Sequence, residues 1–311
     1  MNFQQMEYVL AIDKERHFAK AAARCFVTQP TLSMMVQKLE EELGLKLFER
    51  DRKPVIPTKA GEEIIKRIRI ILLEAKSLKE CAAELRGTVS GIVKIGIIPT
   101  LAPYLLPLFL KSFTSNFPAL QVYIEEMVTD EMIVRLKNGN IDIGLAATPL
   151  YEDKLDEELL FQEEFFAYVS PTNKVYTKKY LLPSQIDINE LWLLEEGHCF
   201  RNQMLNLCEL KKSEQSFNAL HYESGSIETL INLVDSSEGV TIIPHLAALN
   251  LRPEQMQRIK EFADPKPARQ ISLITLKDYP RKQLTLTLKE HILMNLPSEL
   301  VVSDKKTIPV L

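Results

Sequence analysis

The spacing of apolar residues predicts three helices at the start of the chain. Their apolar stripes consist of Phe3, Met6, Val9 and Leu10, then Phe18, Ala21, Ala22 and Cys25, and then Leu32, Val36, Leu39 and Leu43. Small residues on the second stripe allow the helices to pack closely. Thr28 is a good N-cap for the third helix, Pro30 fits its first turn, and Gly44 ends it.

The face of the third helix opposite its apolar stripe is largely polar. A compact helix, a tight turn and a second helix with hydrogen-bonding side chains suit reading of the DNA major groove. The candidate contacts are Thr31, Ser33 and Gln37 with base edges, Thr28, Gln29 and Lys38 with phosphates, and Pro30 and Met34 on the same face. Periodicity alone favours any small three-helix bundle equally.

A longer helix with a heptad pattern is predicted after Gly61. Its apolar positions, in alternating steps of four and three residues, are Ile64, Ile68, Ile71, Ala75, Leu78, Ala82 and Leu85. This pattern, with charges beside it, predicts a coiled-coil helix that pairs two copies of the chain. A helix packed only against its own domain could carry the same stripe. The segment Gly87–Gly91 is predicted to be a hinge.

From Gly91 onwards, short apolar runs alternate with helical stretches. Strands are predicted in GIVKIGII, LQVYIEEM and IDIGLAA, and helices in YLLPLFLKSFTSNFP and DEMIVRLKNGN. Such alternation predicts βαβ units and a mostly parallel sheet. The later runs FFAYVSP, GVTIIP and ISLITL indicate that the chain leaves one lobe and returns to it. Ligands of such sheets bind at the carboxyl ends of strands, here near Pro99 to Leu101.

Composition favours a well-cored protein with its basic residues towards the start. Residues 1–90 carry 16 Lys and Arg against 13 Asp and Glu, whereas the whole chain carries 38 against 42. The basic excess suits a polyanionic partner, although an ordinary solvated surface explains it equally well. No apolar run approaches the roughly 20 residues of a membrane span, and the N-terminus does not read as a signal peptide. We therefore expect a cytoplasmic protein whose four cysteines are thiols.

Two of the cysteines are candidates for chemistry. Cys25 and Cys81 fall on helical stripes and are expected to be small buried hydrophobes. Cys199 follows His198 at the predicted start of a short helix, with Arg201 in the first turn. A helix N-terminus and nearby cations favour the thiolate, which peroxide oxidises to a sulfenic acid.

Cys208 lies nine positions after Cys199. If the segment is helical, nine residues rise about 13.5 Å and place the two thiols on opposite faces. A disulfide then requires the helix to unwind, which would make the segment a two-state switch. The alternatives are two inert thiols in a lobe that binds a metabolite, a thiol peroxidase, and a zinc site. The zinc ligands would be His198, Cys199, Cys208 and His221, whose spacing matches no common pattern.

The run AAARCFVTQPTLSMMVQKLEEELGLKLFERDRKPVIPTKAG resembles the DNA-binding module of the LysR family of bacterial transcriptional regulators. The matching pieces are the alanine pairs, TQPTLS, KLEEELG, LFER and T-x-AG. The resemblance implies a winged helix-turn-helix with a long linker helix, then a two-lobed, periplasmic-binding-protein-like α/β domain. It makes Arg50 to Pro54 the wing, with Arg50, Arg52 and Lys53 meeting the DNA backbone or minor groove. Met34 and Met35 stand where many members have polar residues, which leaves open the bases read there.

The segments GHCFRNQMLNLC and IGIIPTLAPYLLP are similar to the peroxide-sensing OxyR branch of that family. The similarity implies that hydrogen peroxide oxidises Cys199 and that Cys208 resolves it into a disulfide. The residues that would place or activate the peroxide are Thr100, Thr129, His198 and Arg201. A helix N-cap is an alternative role for both threonines. Asn202 departs from the acidic residue often found after that arginine.

The resemblance also predicts how the chain is organised and what it binds. The predicted domains are 1–61, a winged helix-turn-helix; 62–87, a dimerising linker helix; 88–300, a redox-sensing domain; and 301–311, a variable tail. Predicted partners are double-stranded DNA, further copies of the chain in a homodimer and tetramer, RNA polymerase, and thiol-reducing systems that reset the disulfide. Hydrogen peroxide is the expected signal, in response to which the protein is expected to control antioxidant genes. We expect no enzyme activity, cofactor or metal.

Overall fold

The computed structural model describes residues 1–84, 89–194, 199–207, 225–301 and 307–309. The chain divides into two compact units, Met1–Arg86 and Gly87–Leu311, which we call the N-terminal and the C-terminal unit. None of the helices within the described ranges is long and apolar enough to cross a membrane.

The N-terminal unit is a winged helix-turn-helix. Its elements are α1 (Phe3–Glu15), α2 (Phe18–Arg24), α3 (Gln29–Leu43), β1 (Phe48–Glu49), β2 (Ile56–Pro57) and α4 (Lys59–Glu84). β1 and β2 pair antiparallel and form the base of the wing. The predicted ends of α3 are confirmed: Thr28 is its N-cap, and Gly44 is its C-cap with a φ of 66°. Glycine adopts such a left-handed backbone without steric cost.

The three predicted stripes meet in one apolar core, except that Phe3 is 56% exposed and lies outside it. Its fully buried members include Val9, Ile12, Ala21, Leu32, Val36 and Leu39. α4 begins at Lys59, three residues before the predicted boundary, because Thr58 caps it. The Thr58 Oγ1 accepts the backbone N–H of Gly61 at 2.9 Å.

The predicted heptad seam of α4 divides into two parts. Ile68 is 4% exposed and packs in the core of its own unit, and Ile64 packs against that core. Further along, Ile71 is 40% exposed and Leu78 is 73% exposed in the single chain. Packing against its own domain therefore explains the first turns of the stripe, while its later members present an apolar edge to solvent. Leu85 lies outside the described residues.

The C-terminal unit is an α/β domain. Its strands are β3 (Gly91–Ile97), β4 (Leu120–Glu126), β5 (Ile143–Thr148), β6 (Leu155–Val169), β7 (Tyr180–Leu181), β8 (Val240–Pro244), β9 (Ile259–Phe262), β10 (Lys266–Leu276) and β11 (Thr307–Pro309). Its α-helices are α5 (Ala102–Asn116), α6 (Thr129–Lys137), α7 (Cys199–Leu207), α8 (Ile227–Ser236), α9 (His245–Ala248), α10 (Pro253–Met256), α11 (Lys282–Asn295) and α12 (Ser298–Val301). Short 3₁₀ helices occupy Pro183–Gln185 and Ile188–Glu190.

The sheet order is β4-β3-β5-β10-β6-β9-β7, with β8 paired to β6 and β11 paired to β10. The expectation of a mostly parallel sheet holds for β3, which is parallel to β4 and β5. It is wrong further along, because β10 returns antiparallel to both β5 and β6. β11 is a strand within the segment predicted to be a variable tail.

The long strand β6 joins the two lobes of this unit. Its first part pairs with β10 up to Glu164, and its last part pairs with β8 from Phe165 to Val169. The chain thus leaves the lobe of β3–β5 through β6 and returns through β10. The carboxyl ends of β3 and β4 face the loops that carry Thr100 and Thr129, since Ile97 is in register with Glu126.

Candidate functional sites

The outer face of α3 is exposed as the sequence predicts. Thr28, Gln29, Pro30, Thr31, Met34, Gln37 and Lys38 are exposed, and Ser33 is half-buried. Several of the polar side chains have partners within the unit. The Oγ1 atoms of Thr28 and Thr31 lie 2.9 Å apart, and the Gln37 amide donates to Glu41 at 2.9 Å.

Arg50 links the wing to α3. Its Nη2 donates to the Oε2 of Glu40 at 2.9 Å, its Nη1 donates to the Oγ of Ser33 at 3.0 Å, and its guanidinium lies 5.1 Å from the centre of the Phe18 ring. Glu40, whose side chain is 1% exposed, also accepts the backbone N–H of Leu47 at 2.7 Å. A buried carboxylate needs such partners. The structure therefore gives Arg50 an intramolecular role that the sequence did not indicate.

The other two predicted wing cations are exposed. Arg52 and Lys53 lie in the turn between β1 and β2. The Nε of Arg52 is 2.6 Å from the Oε2 of Glu49, in an ion pair that solvent screens. Both cations can meet a phosphate without leaving a buried partner behind.

Phe26 is an unusual surface residue that the sequence pattern did not predict. It lies in the turn between α2 and α3, is 95% exposed, and has a φ of 57°. An aromatic residue rarely adopts this left-handed backbone, and this ring gains nothing from burial.

The second candidate site surrounds the start of α7. This helix begins at Cys199, as predicted. The side chains of Cys199, Arg201 and Asn202 lie outside the described part of the structure, as do His198 and Cys208 altogether.

A buried arginine lies beneath the first turn of α7. Arg269 on β10 is fully buried, and its guanidinium lies 5.3 Å from the centre of the Phe200 ring. It donates to the Oγ1 of Thr100 at 3.0 Å and to the carbonyl of Thr100 at 3.2 Å. Glu163 on β6, also fully buried, accepts from the Arg269 Nε at 2.8 Å and from the backbone N–H of Leu246 at 2.9 Å.

The N-cap alternative is wrong for both candidate threonines. Leu101 is the N-cap of α5 and Val128 is the N-cap of α6, so Thr100 precedes one cap and Thr129 follows the other. Both threonines are buried, at 3% and 4% exposure. Because the Thr100 oxygen accepts from Arg269, its hydroxyl proton points away from that guanidinium.

Helix α8 is joined to α5 by a hydrogen bond. The Tyr104 hydroxyl donates to the Oε1 of Glu228 at 2.6 Å, and the Ser226 hydroxyl donates to its Oε2 at 2.7 Å. Burial raises the pKa of Tyr104, and the Glu228 carboxylate raises it further. Burial opposes ionisation of Glu228, but the hydrogen bonds from Tyr104 and Ser226 outweigh it, so the pKa of Glu228 lies below its usual value.

Residues 3–62 match the model of the bacterial regulatory helix-turn-helix protein, lysR family, and residues 86–297 match the LysR substrate binding domain. The chain belongs to the LysR family of transcriptional regulators, which are DNA-binding proteins and not enzymes.

Within the family, its relatives include peroxide-responsive regulators. The hydrogen peroxide-inducible genes activator of Haemophilus influenzae is 34% identical over 88% of this chain and 90% of its own length. A cysteine-to-aspartate variant of full-length OxyR from Pseudomonas aeruginosa matches with a TM-score of 0.76 and 30% identity, over 95% of this chain and 99% of that one. A cysteine mutant of Corynebacterium glutamicum OxyR, solved with bound H2O2, matches with a TM-score of 0.61 and 28% identity, over 94% and 92% of the two chains.

Proposed function

We propose that this chain senses hydrogen peroxide through Cys199 and converts the oxidation into a change in transcription of antioxidant genes. The observation that carries the proposal is the position of Cys199 at the first residue of α7, next in sequence to Phe200, against which the buried Arg269 packs. A helix N-terminus stabilises a thiolate. The names of the relatives support the same signal.

The chemistry is a displacement at a peroxide oxygen followed by a displacement at sulfur. The Cys199 thiolate attacks one peroxide oxygen, the O–O bond breaks, and the departing hydroxide takes a proton to become water, leaving a sulfenic acid. The Cys208 thiolate then attacks that sulfur, the S–O bond breaks, and the departing hydroxide takes a proton to become a second water as the disulfide forms. The two cysteines lose two electrons in total, and a cellular dithiol returns them on reset.

Thr100 is suited to place the peroxide. Its oxygen is held by Arg269, so its proton is available to a peroxide oxygen. Thr129, at the neighbouring strand end, is proposed as the second placing residue. We assign His198 and Arg201 the role of stabilising the thiolate and the departing hydroxide.

Disulfide formation is proposed to switch the regulatory domain. Cys199 starts a helix that runs to Leu207, so Cys208 cannot reach it while the helix is intact. Oxidation therefore unwinds α7 and changes the packing between C-terminal units. This is an order change of one segment, a common basis for protein switches.

The DNA side of the mechanism uses α3 and the wing. The base-reading residues are Thr31, Ser33 and Gln37, the phosphate contacts are Thr28, Gln29, Lys38, Arg52 and Lys53, and Pro30, Met34 and Arg50 lie at the same surface. Two copies paired through α4 bind a two-fold site, and two dimers form the tetramer. Changed spacing of the N-terminal units then alters contact with RNA polymerase in the cytoplasm.

The test is a reporter under a promoter that the protein controls. Cys199→Ser is expected to abolish the response to hydrogen peroxide, while the matched Cys25→Ser variant, which changes a half-buried thiol of the N-terminal unit, keeps it. A peroxide response that survives in Cys199→Ser would refute the proposal.

A further inference from the structure

An apolar side chain lies exposed among the polar residues of the proposed DNA-reading face. Met34 on α3 is 51% exposed, whereas the apolar residues Leu32, Val36 and Leu39 of the same helix are fully buried. Single exposed apolar residues are common on protein surfaces, so exposure alone does not indicate a function for Met34. Its position on the helix does.

Helix geometry places Met34 at the centre of that face. Residues three and four positions apart are neighbours on a helix surface. Met34 therefore adjoins Thr31 and Gln37 on one diagonal and Pro30 and Lys38 on the other, and all four are exposed. If α3 enters the major groove with this face, Met34 comes to the base edges.

Polar side chains around Met34 are already engaged within the protein, since the hydroxyl of Thr31 lies 2.9 Å from that of Thr28. Ser33 accepts from Arg50, and Gln37 donates to Glu41. Each must exchange a protein partner for a base or phosphate when DNA binds, so its net contribution to the binding free energy is small. Met34 can be buried against DNA without breaking a hydrogen bond.

The chemistry of the major groove leaves one target for such a side chain. Base edges there present hydrogen-bond donors and acceptors, and thymine alone adds an apolar group, its 5-methyl. A thioether has no donor and accepts only weakly, so it would leave the polar edge of another base without a partner. We propose that Met34 is a specificity-determining residue that packs against the 5-methyl group of one thymine in each half-site. The proposal rests on the proposed use of α3 to read DNA.

The test removes the methyl group from the DNA. A duplex is first selected from a random library by the full-length protein, and each thymine of both half-sites is then replaced in turn by deoxyuridine, which pairs identically but lacks the 5-methyl. One replacement is expected to weaken binding about fourfold per half-site, on the order of the contribution of one buried methyl group. Affinity is measured by fluorescence anisotropy at one fixed salt concentration.

The protein variants decide whether Met34 makes the contact. Met34→Ala is expected to bind the thymine and deoxyuridine duplexes equally at that position, and Met34→Leu is expected to retain the preference. Met294→Ala, which removes an exposed methionine from the C-terminal unit, serves as the matched control and keeps the preference. A deoxyuridine penalty that is unchanged in Met34→Ala, or the lack of any sensitive thymine in a selected duplex, overturns this proposal alone. If no duplex is selected, the proposed function fails as well.

Discussion

The guanidinium of Arg269 donates to the hydroxyl of Thr100 at 3.0 Å, between residues 169 positions apart in sequence. This contact joins the returning strand β10 to the loop after β3, directly beneath the first turn of α7. It fixes which way the Thr100 hydroxyl points, and so connects the fold to the proposed peroxide site.

Thr100→Val is expected to slow the reaction of Cys199 with hydrogen peroxide about tenfold, the effect of roughly one lost hydrogen bond in a transition state. Stopped-flow measurement of peroxide consumption gives the rate. Thr285→Val, a matched loss of a buried threonine hydroxyl on α11, should leave the rate unchanged. Equal rates in the two variants would remove Thr100 from the peroxide site.

Tyr104→Phe is expected to destabilise the C-terminal unit by about 1 kcal/mol at pH 7, the net contribution of a typical hydrogen bond. The pKa of Glu228 is lowered in the folded state, so its contribution is fully present above its unfolded pKa of about 4.3 and is lost as the pH falls through the folded value. The difference between variant and parent should therefore shrink below about pH 4. Urea unfolding followed by the fluorescence of Trp192, the one tryptophan of the chain, measures it. A difference that stays constant with pH would show that Glu228 does not titrate against Tyr104.

Phe26→Gly is expected to stabilise the N-terminal unit by about 1 kcal/mol, because glycine adopts a left-handed backbone without the steric cost of a Cβ atom. Hydrogen exchange of the α1–α3 amides, read by mass spectrometry, localises the effect to this unit. Phe26→Ala keeps the Cβ and should change little, since the ring is exposed. Greater protection in the alanine variant than in the glycine variant would contradict the strain argument.

Leu78→Asp is expected to weaken the pairing of two chains without unfolding the N-terminal unit. Leu78 is 73% exposed in the single chain, so the charge costs little there, but it would be buried without a partner in a paired α4. Light scattering after size exclusion gives the mass, and circular dichroism checks the helix content. Arg67→Asp, at an exposed position off the seam, is the control. Equal masses for both variants and the parent would place the dimer contact elsewhere.

Local features were predictable from the sequence, and distant partnerships were not. Thr28 and Gly44 were placed correctly because capping depends on residues next to each other in the chain. The bonds of Glu163 and Thr100 to Arg269 join residues more than a hundred positions apart, so no local pattern reports them. The heptad positions of α4 are buried only in the turns that pack against the N-terminal unit, including α1, and the heptad pattern alone does not indicate which turns those are. The position of Glu40 on the apolar side of α3 indicates a buried carboxylate that needs a cation, but it does not indicate that the cation is Arg50, ten positions further along the chain.

The proposed Cys199–Cys208 switch is tested by mapping the thiols of the purified, reduced protein by mass spectrometry after one equivalent of hydrogen peroxide. The predicted result is a peptide linked through Cys199 and Cys208, with Cys25 and Cys81 still reduced. Free thiols at both Cys199 and Cys208 would contradict the peroxide switch while leaving the family assignment intact.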